Sequence, residues 1–186
     1  MAEILRLSTE DEGEGLDVDN LLLWILVWSE LAAFGALLVA FLINSYLQPD
    51  VFAVARQHLN VPLAAVNTLV LITSGWQAAL AVGAGAKRGQ QRRALILAAL
   101  LGLLFCAIKL YEYAGEIGFS GQAGLSGFFE LYFLITGFHL MHVAFGALVM
   151  LVVAWRPSRE NIVLITTLWH VFDLIWILMF PIVYLA

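Results

Sequence analysis

The chain has 186 residues, of which 62% are hydrophobic and only 12% charged, with a formal net charge of −5 and a mean hydropathy of +0.92. Soluble domains are closer to half apolar and a quarter charged, so the composition indicates a membrane protein. The absence of a basic stripe argues against nucleic-acid binding, and a single cysteine, Cys106, excludes an internal disulfide.

Residues 1–20 form an acidic segment carrying Glu10, Asp11, Glu12, Glu14, Asp17 and Asp19. It reads as a flexible or surface-lying cytoplasmic tail, and it lacks the basic start and apolar core of a signal peptide. Five apolar stretches come after it, at 21–47, 62–86, 94–117, 127–155 and 162–185. Each exceeds the roughly 20 residues that cross a bilayer. The expected fold is therefore all-α, a single five-helix transmembrane domain over 21–186 joined by short loops. Arg6, Lys87, Arg88, Arg92, Arg93, Arg156 and Arg159 fall on one side of that arrangement and only Arg56 on the other. By the positive-inside rule the N-terminus is cytoplasmic and the C-terminus outside.

Several ionisable residues lie inside these stretches, where a charge costs at least about 2.5 kcal/mol on insertion scales. They should be paired or neutral and face protein. Glu30, in WSELAAF, lies roughly 14 Å in from the cytoplasmic end of its helix. It reads either as a proton-exchanging carboxyl or as an uncharged tie between helices. In the third span Lys109 and Glu112 can pair one turn apart, and with Glu116 they read as an interfacial anchor or a subunit contact. Asn67, Thr68, Thr73, Ser74 and Gly75, all on span two, read as small polar glue between helices. Trp24, Trp28, Trp155 and Trp169 fall toward the cytoplasmic interface, where tryptophan anchors well.

The fourth stretch, FFELYFLITGFHLMHVAFG at 128–146, places Tyr132, Thr136, His139, His142 and Gly146 on one side of a helix, within a sector of roughly 120°. Glu130 is grouped with these buried polar residues. His139 and His142 fit packing and hydrogen bonding better than metal or haem binding. Two histidines three apart on one helix cannot both be axial to a single haem, and no further ligand pattern accompanies them. In the fifth stretch His170 and Asp173 can form a charge-assisted hydrogen bond, and Trp169, Asp173 and Trp176 share a face.

WSELAAFGALLVAF in the first span, VNTLVLITSG in the second, YEY at 111–113, TGFHLMH at 136–142 and WHVFDLIW at 169–176 occur in an order and spacing that resembles subunit III of the haem–copper oxidases. The resemblance runs from about Leu22 to the C-terminus. It implies a non-catalytic subunit of the bacterial inner membrane with no cofactor of its own. Such a subunit packs beside catalytic subunit I, which with its neighbours holds the haems and copper, and it steadies that subunit, binds phospholipid and supports proton uptake. Glu30 falls where the family has its buried carbodiimide-reactive glutamate. His139, His142, His170 and Asp173 fall on its helix-packing motifs. Long family members carry two further N-terminal helices that form a lipid-filled cleft, and this chain has no such pair. The five-helix form is shared with quinol-oxidase subunits and with the NorE-type accessory protein associated with nitric oxide reductase. The wording of the second and fourth helices, including Glu130 before Tyr132, is most similar to the latter. The residues by themselves also admit a small proton-coupled transporter or a multi-histidine membrane cytochrome.

Overall fold

The computed structural model describes the backbone of residues 2–83, 87–121 and 124–186, and side chains from residue 21 onward within those ranges, residue 22 excepted. Every regular element among the described residues is helical: α1 (Ala2–Leu47), α2 (Pro49–Arg56), α3 (Val61–Val82), α4 (Arg88–Ser120), α5 (Ser126–Trp155) and α6 (Arg159–Tyr184). Five of them contain a segment long and apolar enough to cross a membrane: Leu23–Leu47 within α1, and α3, α4, α5 and α6. The five expected spans are those five helices.

Their ends differ from the expectation in instructive ways. Helix α1 runs back to Ala2, since nothing before Pro49 breaks it. Helix α4 starts at Arg88, so the basic segment read as a loop forms its first turns, with Gln90 Oε1 accepting from the Lys87 N–H at 3.0 Å. At 33 residues it is about 50 Å long and must extend past a hydrocarbon layer of about 30 Å. Helix α3 stops at Val82, where Gly83 takes an extended backbone; the expected continuation over 84–86 lies outside the described residues. The segment read as a loop before α3 contains α2, with Pro49 in its first turn, Asp50 near the N-terminus and Arg56 near the C-terminus, each suited to its helix end. Helix α2 buries Phe52 and Ala55, and Phe52 meets the rings of Phe41 and Phe128 edge-on at 5.3 and 5.0 Å.

Packing is closest between α3 and α4 and between α4 and α5. Small residues allow it: α3 buries Ala64, Ser74, Gly75, Ala78 and Ala81, and α4 buries Ala94, Ala98, Ala99 and Gly102. Trp169 of α6 wedges between α4 and α5. A Cβ on Gly102 would lie 2.5 Å from its ring, and one on Gly146 would lie 3.0 Å away. Trp169 is expected near an interface, but its side chain is wholly buried. Trp24, Trp28 and Trp155 are exposed. Helix α1 is held by a narrow seam of Val27, Phe34 and Phe41, spaced seven residues apart as in a coiled-coil stripe, and leaves Trp24, Ile25, Trp28, Val39, Leu42 and Ile43 facing outward.

Candidate functional site

Helix α1 brings Glu30 to α5. Its Oε2 lies 3.1 Å from His142 Nε2, with both side chains less than one-fifth exposed. His142 Nδ1 is 2.7 Å from the Phe138 carbonyl, one turn back on α5. A carbonyl only accepts, so Nδ1 carries a hydrogen. Nε2 faces Glu30 Oε2 at contact distance, but the angle between them is not that of a hydrogen bond. Sharing one proton would leave the two groups neutral overall, which suits a membrane interior. His139 lies deeper. Its ring is fully buried, stacks on Trp176 at 5.2 Å, and faces Phe34 and Phe105 edge-on at about 6 Å. Neither of its nitrogens has a hydrogen-bond partner among the described residues.

On α6, Asp173 Oδ2 lies 3.4 Å from His170 Nδ1. The pair expected from the sequence is present, but it is not a wholly buried one: the Asp173 side chain is enclosed while that of His170 is 47% exposed. His170 is about 60° around the helix from Asp173 and about 100° from Trp169, at the edge of the inward face. Gly75 of α3 makes room for the carboxylate, since a Cβ there would sit 2.1 Å from Asp173 Oδ2. The neighbouring polar residues of α3 divide between cross-helix and local bonds. Asn67 Nδ2 donates to the Phe105 carbonyl and Ser74 Oγ to that of Ala98. Thr68 Oγ1 receives the Trp176 indole N–H at 2.9 Å, while Thr73 bonds back to its own helix.

The residues expected to anchor at an interface turn inward instead. Lys109, Glu112 and Glu116 are 1%, 4% and 3% exposed, because they lie on the face of α4 that continues Gly102, Phe105 and Cys106. Lys109 Nζ donates to Glu112 Oε2 at 2.9 Å, to Tyr132 Oη of α5 at 2.7 Å and to Tyr184 Oη of α6. Tyr184 donates in turn to Glu112 Oε1 at 2.8 Å. All three ammonium hydrogens are used, and the ammonium lies about 5 Å from the ring centres of Tyr113, Tyr132 and Tyr184. Tyr113 donates to Thr136 Oγ1 at 2.7 Å. The junction ties α4, α5 and α6 together at one end of the bundle.

Glu130 is exposed, contrary to its grouping with the buried polar residues. It lies about 200° around the helix from Tyr132 and so points away from the face that buries Tyr132, Thr136 and His139. Two participants carry no site signal in the sequence. Tyr184 belongs to an apolar helix end, and only the folded chain brings it to Lys109. Arg56 reads from the sequence as a loop charge alone. It is half-buried, donates to the Val183 carbonyl at 3.2 Å and that of Ile182 at 3.4 Å, and reaches Ser45 Oγ. It thereby caps the C-terminal end of α6. Cys106 is a buried free thiol, and no three His, Cys, Asp or Glu side chains converge as a metal group among the described residues.

The model of the family described as cytochrome c oxidase subunit III matches residues 13–186. The chain belongs to that family. It is 37% identical over 140 residues to cytochrome c oxidase subunit 3 of Corynebacterium diphtheriae, covering 68% of this chain and 67% of that one. It is 32% identical over 172 residues to cytochrome c oxidase subunit 3 of a Synechocystis species, covering 84% and 71%. It is also 24% identical over 188 residues to a probable quinol oxidase subunit 3 of Staphylococcus aureus, covering 96% and 92%. The polar contacts above are thus those of a subunit III-type bundle, a multi-pass membrane protein.

Proposed function

We propose that this chain is the non-catalytic subunit III of a respiratory haem–copper terminal oxidase in a bacterial inner membrane, where it packs beside catalytic subunit I and supports proton uptake during turnover. Membership of the subunit III family supports the assignment. The observation that carries the mechanism is the Glu30–His142 contact. It sets a carboxyl 3.1 Å from an imidazole, partly open, on the lightly packed helix α1. Such a pair can pass its proton between carboxyl and imidazole without changing net charge, and its exposed side gives it access to a neighbour. The nitric oxide reductase accessory role is the alternative within the same architecture, distinguished by which catalytic subunit the chain accompanies.

The orientation we propose keeps the N-terminus cytoplasmic and the C-terminus outside. The one basic residue against this placement, Arg56, is occupied as the cap of α6, so it weighs little in the loop-charge balance. For a stand-alone multi-histidine cytochrome, His142 would have to give up the contacts at both its nitrogens, and His139 would have to leave a cage of three aromatic rings.

Affinity purification of the tagged full chain in mild detergent tests the proposal. We expect a haem–copper catalytic subunit to co-purify, with the haem absorbance following that subunit. Consistent isolation of the chain alone, or a Soret band on the isolated chain, would overturn it. Glu30→Gln in the assembled enzyme is expected to slow proton uptake while leaving haem content unchanged.

A further inference from the structure

We propose that the strip of α6 around His170 is the face this chain sets against the catalytic subunit, and that the catalytic subunit offers a hydrogen-bond acceptor to His170 Nε2. The choice of partner rests on the oxidase reading above; the strip and its chemistry do not. His170 lies about 16 Å along α6 from Arg159, near the middle of a hydrocarbon layer of about 30 Å. Its side chain is nevertheless 47% exposed. Val163, Leu174 and Ile177, all within about 40° of it around the helix, are exposed as well. Helix α6 packs on α3, α5 and α1, and this strip is what those helices leave uncovered. On α4 and α5 the surface at membrane depth is different. Leu97, Leu100 and Leu104 of α4 and Met141, Phe145 and Leu148 of α5 are exposed and apolar. Ionisable side chains at such depth face protein or water, because hydrocarbon has nothing to bond to them. The α4 and α5 surface therefore suits lipid tails, and the α6 strip suits another protein.

Proton accounting fixes what that protein must bring. His170 Nδ1 is hydrogen-bonded to Asp173 Oδ2 at 3.4 Å. A pair at membrane depth costs least when it carries no net charge. Two arrangements meet that condition. An imidazolium can face a carboxylate, and then both ring nitrogens carry hydrogen. Alternatively, a carboxylic acid can donate to Nδ1 of a neutral ring, whose single hydrogen is then on Nε2. In both cases Nε2 is a donor, and His170 makes no second hydrogen bond among the described residues. The partner must supply a carbonyl, hydroxyl or carboxylate oxygen at the depth of His170. A second copy of this chain, placed against the strip by a twofold axis, would present the same strip. That strip brings another N–H and the apolar side chains of Val163, Leu174 and Ile177, so its polarity is wrong. The catalytic subunit is the membrane neighbour left to provide the oxygen.

Photo-crosslinking of the full chain within its membrane complex tests the face. A benzophenone amino acid is placed either at Leu174, in the strip, or at Leu148 on α5. We expect the probe at Leu174 to crosslink to the haem–copper catalytic subunit at least about tenfold more than the probe at Leu148. A crosslink between two copies of this chain overturns the proposal. So does the absence of any protein crosslink from Leu174 while the catalytic subunit still co-purifies, an outcome that leaves the oxidase reading standing. Failure of that subunit to co-purify overturns both. The acceptor is tested by retention of the chain on the oxidase during dilution in detergent. His170→Leu should raise the dissociation constant about tenfold, the worth of one charge-assisted hydrogen bond. His170→Gln keeps an N–H and should recover most of the loss. Retention of His170→Leu equal to wild type, or a loss in His170→Gln as large as in His170→Leu, overturns the acceptor and the proposal with it. Should the His170 variants not fold, the probe at Leu174 decides, because that side chain is half exposed and its replacement leaves the His170–Asp173 pair in place.

Discussion

Trp176 separates two polar regions built in opposite ways. Lys109 Nζ lies 5.7 Å from its ring, and His139 stacks on it at 5.2 Å. On the Lys109 side, three helices converge so that the ammonium and the Glu112 carboxylate find all their partners within the chain. On the other side, among the described residues, Glu30 Oε2 lies beside an imidazole without a hydrogen bond, Asp173 leaves Oδ1 without a partner, and His139 leaves both nitrogens without one. Both regions lie in an apolar bundle, so depth alone does not decide how a polar group is treated. The kind of group brought decides: the helices around Lys109 bring a carboxylate and two hydroxyls, whereas those around His139 bring the rings of Phe34, Phe105 and Trp176.

The closed joint should be the more costly to open. Lys109→Met leaves Glu112 buried without its counter-charge, and we expect a loss of about 3–5 kcal/mol in unfolding free energy, read by circular dichroism during denaturation in detergent. Lys109→Met combined with Glu112→Leu should recover most of that loss, because no orphaned charge remains. A single variant costing less than about 1 kcal/mol would behave like an exposed pair and would erase the contrast.

Two glycines sharpen the comparison at the level of packing. Gly102→Ala puts a methyl group against the Trp169 indole, wedged between α4 and α5, whereas Gly75→Ala puts one against the tip of the Asp173 side chain. The indole has nowhere to go, while the carboxylate can swing toward the exposed His170. The expected costs are about 1–3 kcal/mol for Gly102→Ala and less than about 1 kcal/mol for Gly75→Ala. The reverse order would mean that Asp173 is as rigidly held as Lys109.

Much of this arrangement is legible in the sequence. Hydropathy locates the five spans, and helical periodicity puts Tyr132, Thr136 and His139 on one buried face. The same periodicity places Glu130 opposite Tyr132, so its exposure is readable from its angle. The short helix α2 is not readable from periodicity, because eight residues are too few to show a period. Lys109 is legible as a partner for Glu112 but not as a buried one. Near the end of a long helix an ion pair reads equally well as a snorkelling anchor, and only the Tyr132 and Tyr184 hydroxyls, brought from α5 and α6, make burial tolerable. Such closure is a property of tertiary convergence, for which one strand of sequence carries no local signal.

The smallest effect is expected where the chain looks most functional. Glu30→Gln should cost less than about 1 kcal/mol, since Glu30 Oε2 makes no hydrogen bond to lose and an amide fits the same space. His139→Leu should cost still less. A buried polar group without a partner is already bearing its desolvation penalty, and an apolar side chain of similar size removes it. We therefore expect a change within about 1 kcal/mol of zero, in either direction. A loss above about 2 kcal/mol would exceed what the packing contacts with Phe34, Phe105 and Trp176 account for. It would mean that the imidazole is hydrogen-bonded after all, to an enclosed water or to a group brought by a neighbouring subunit. Measuring His139→Leu both in the isolated chain and in the assembled complex separates these, because a water partner acts in both settings and a subunit partner only in the assembled one.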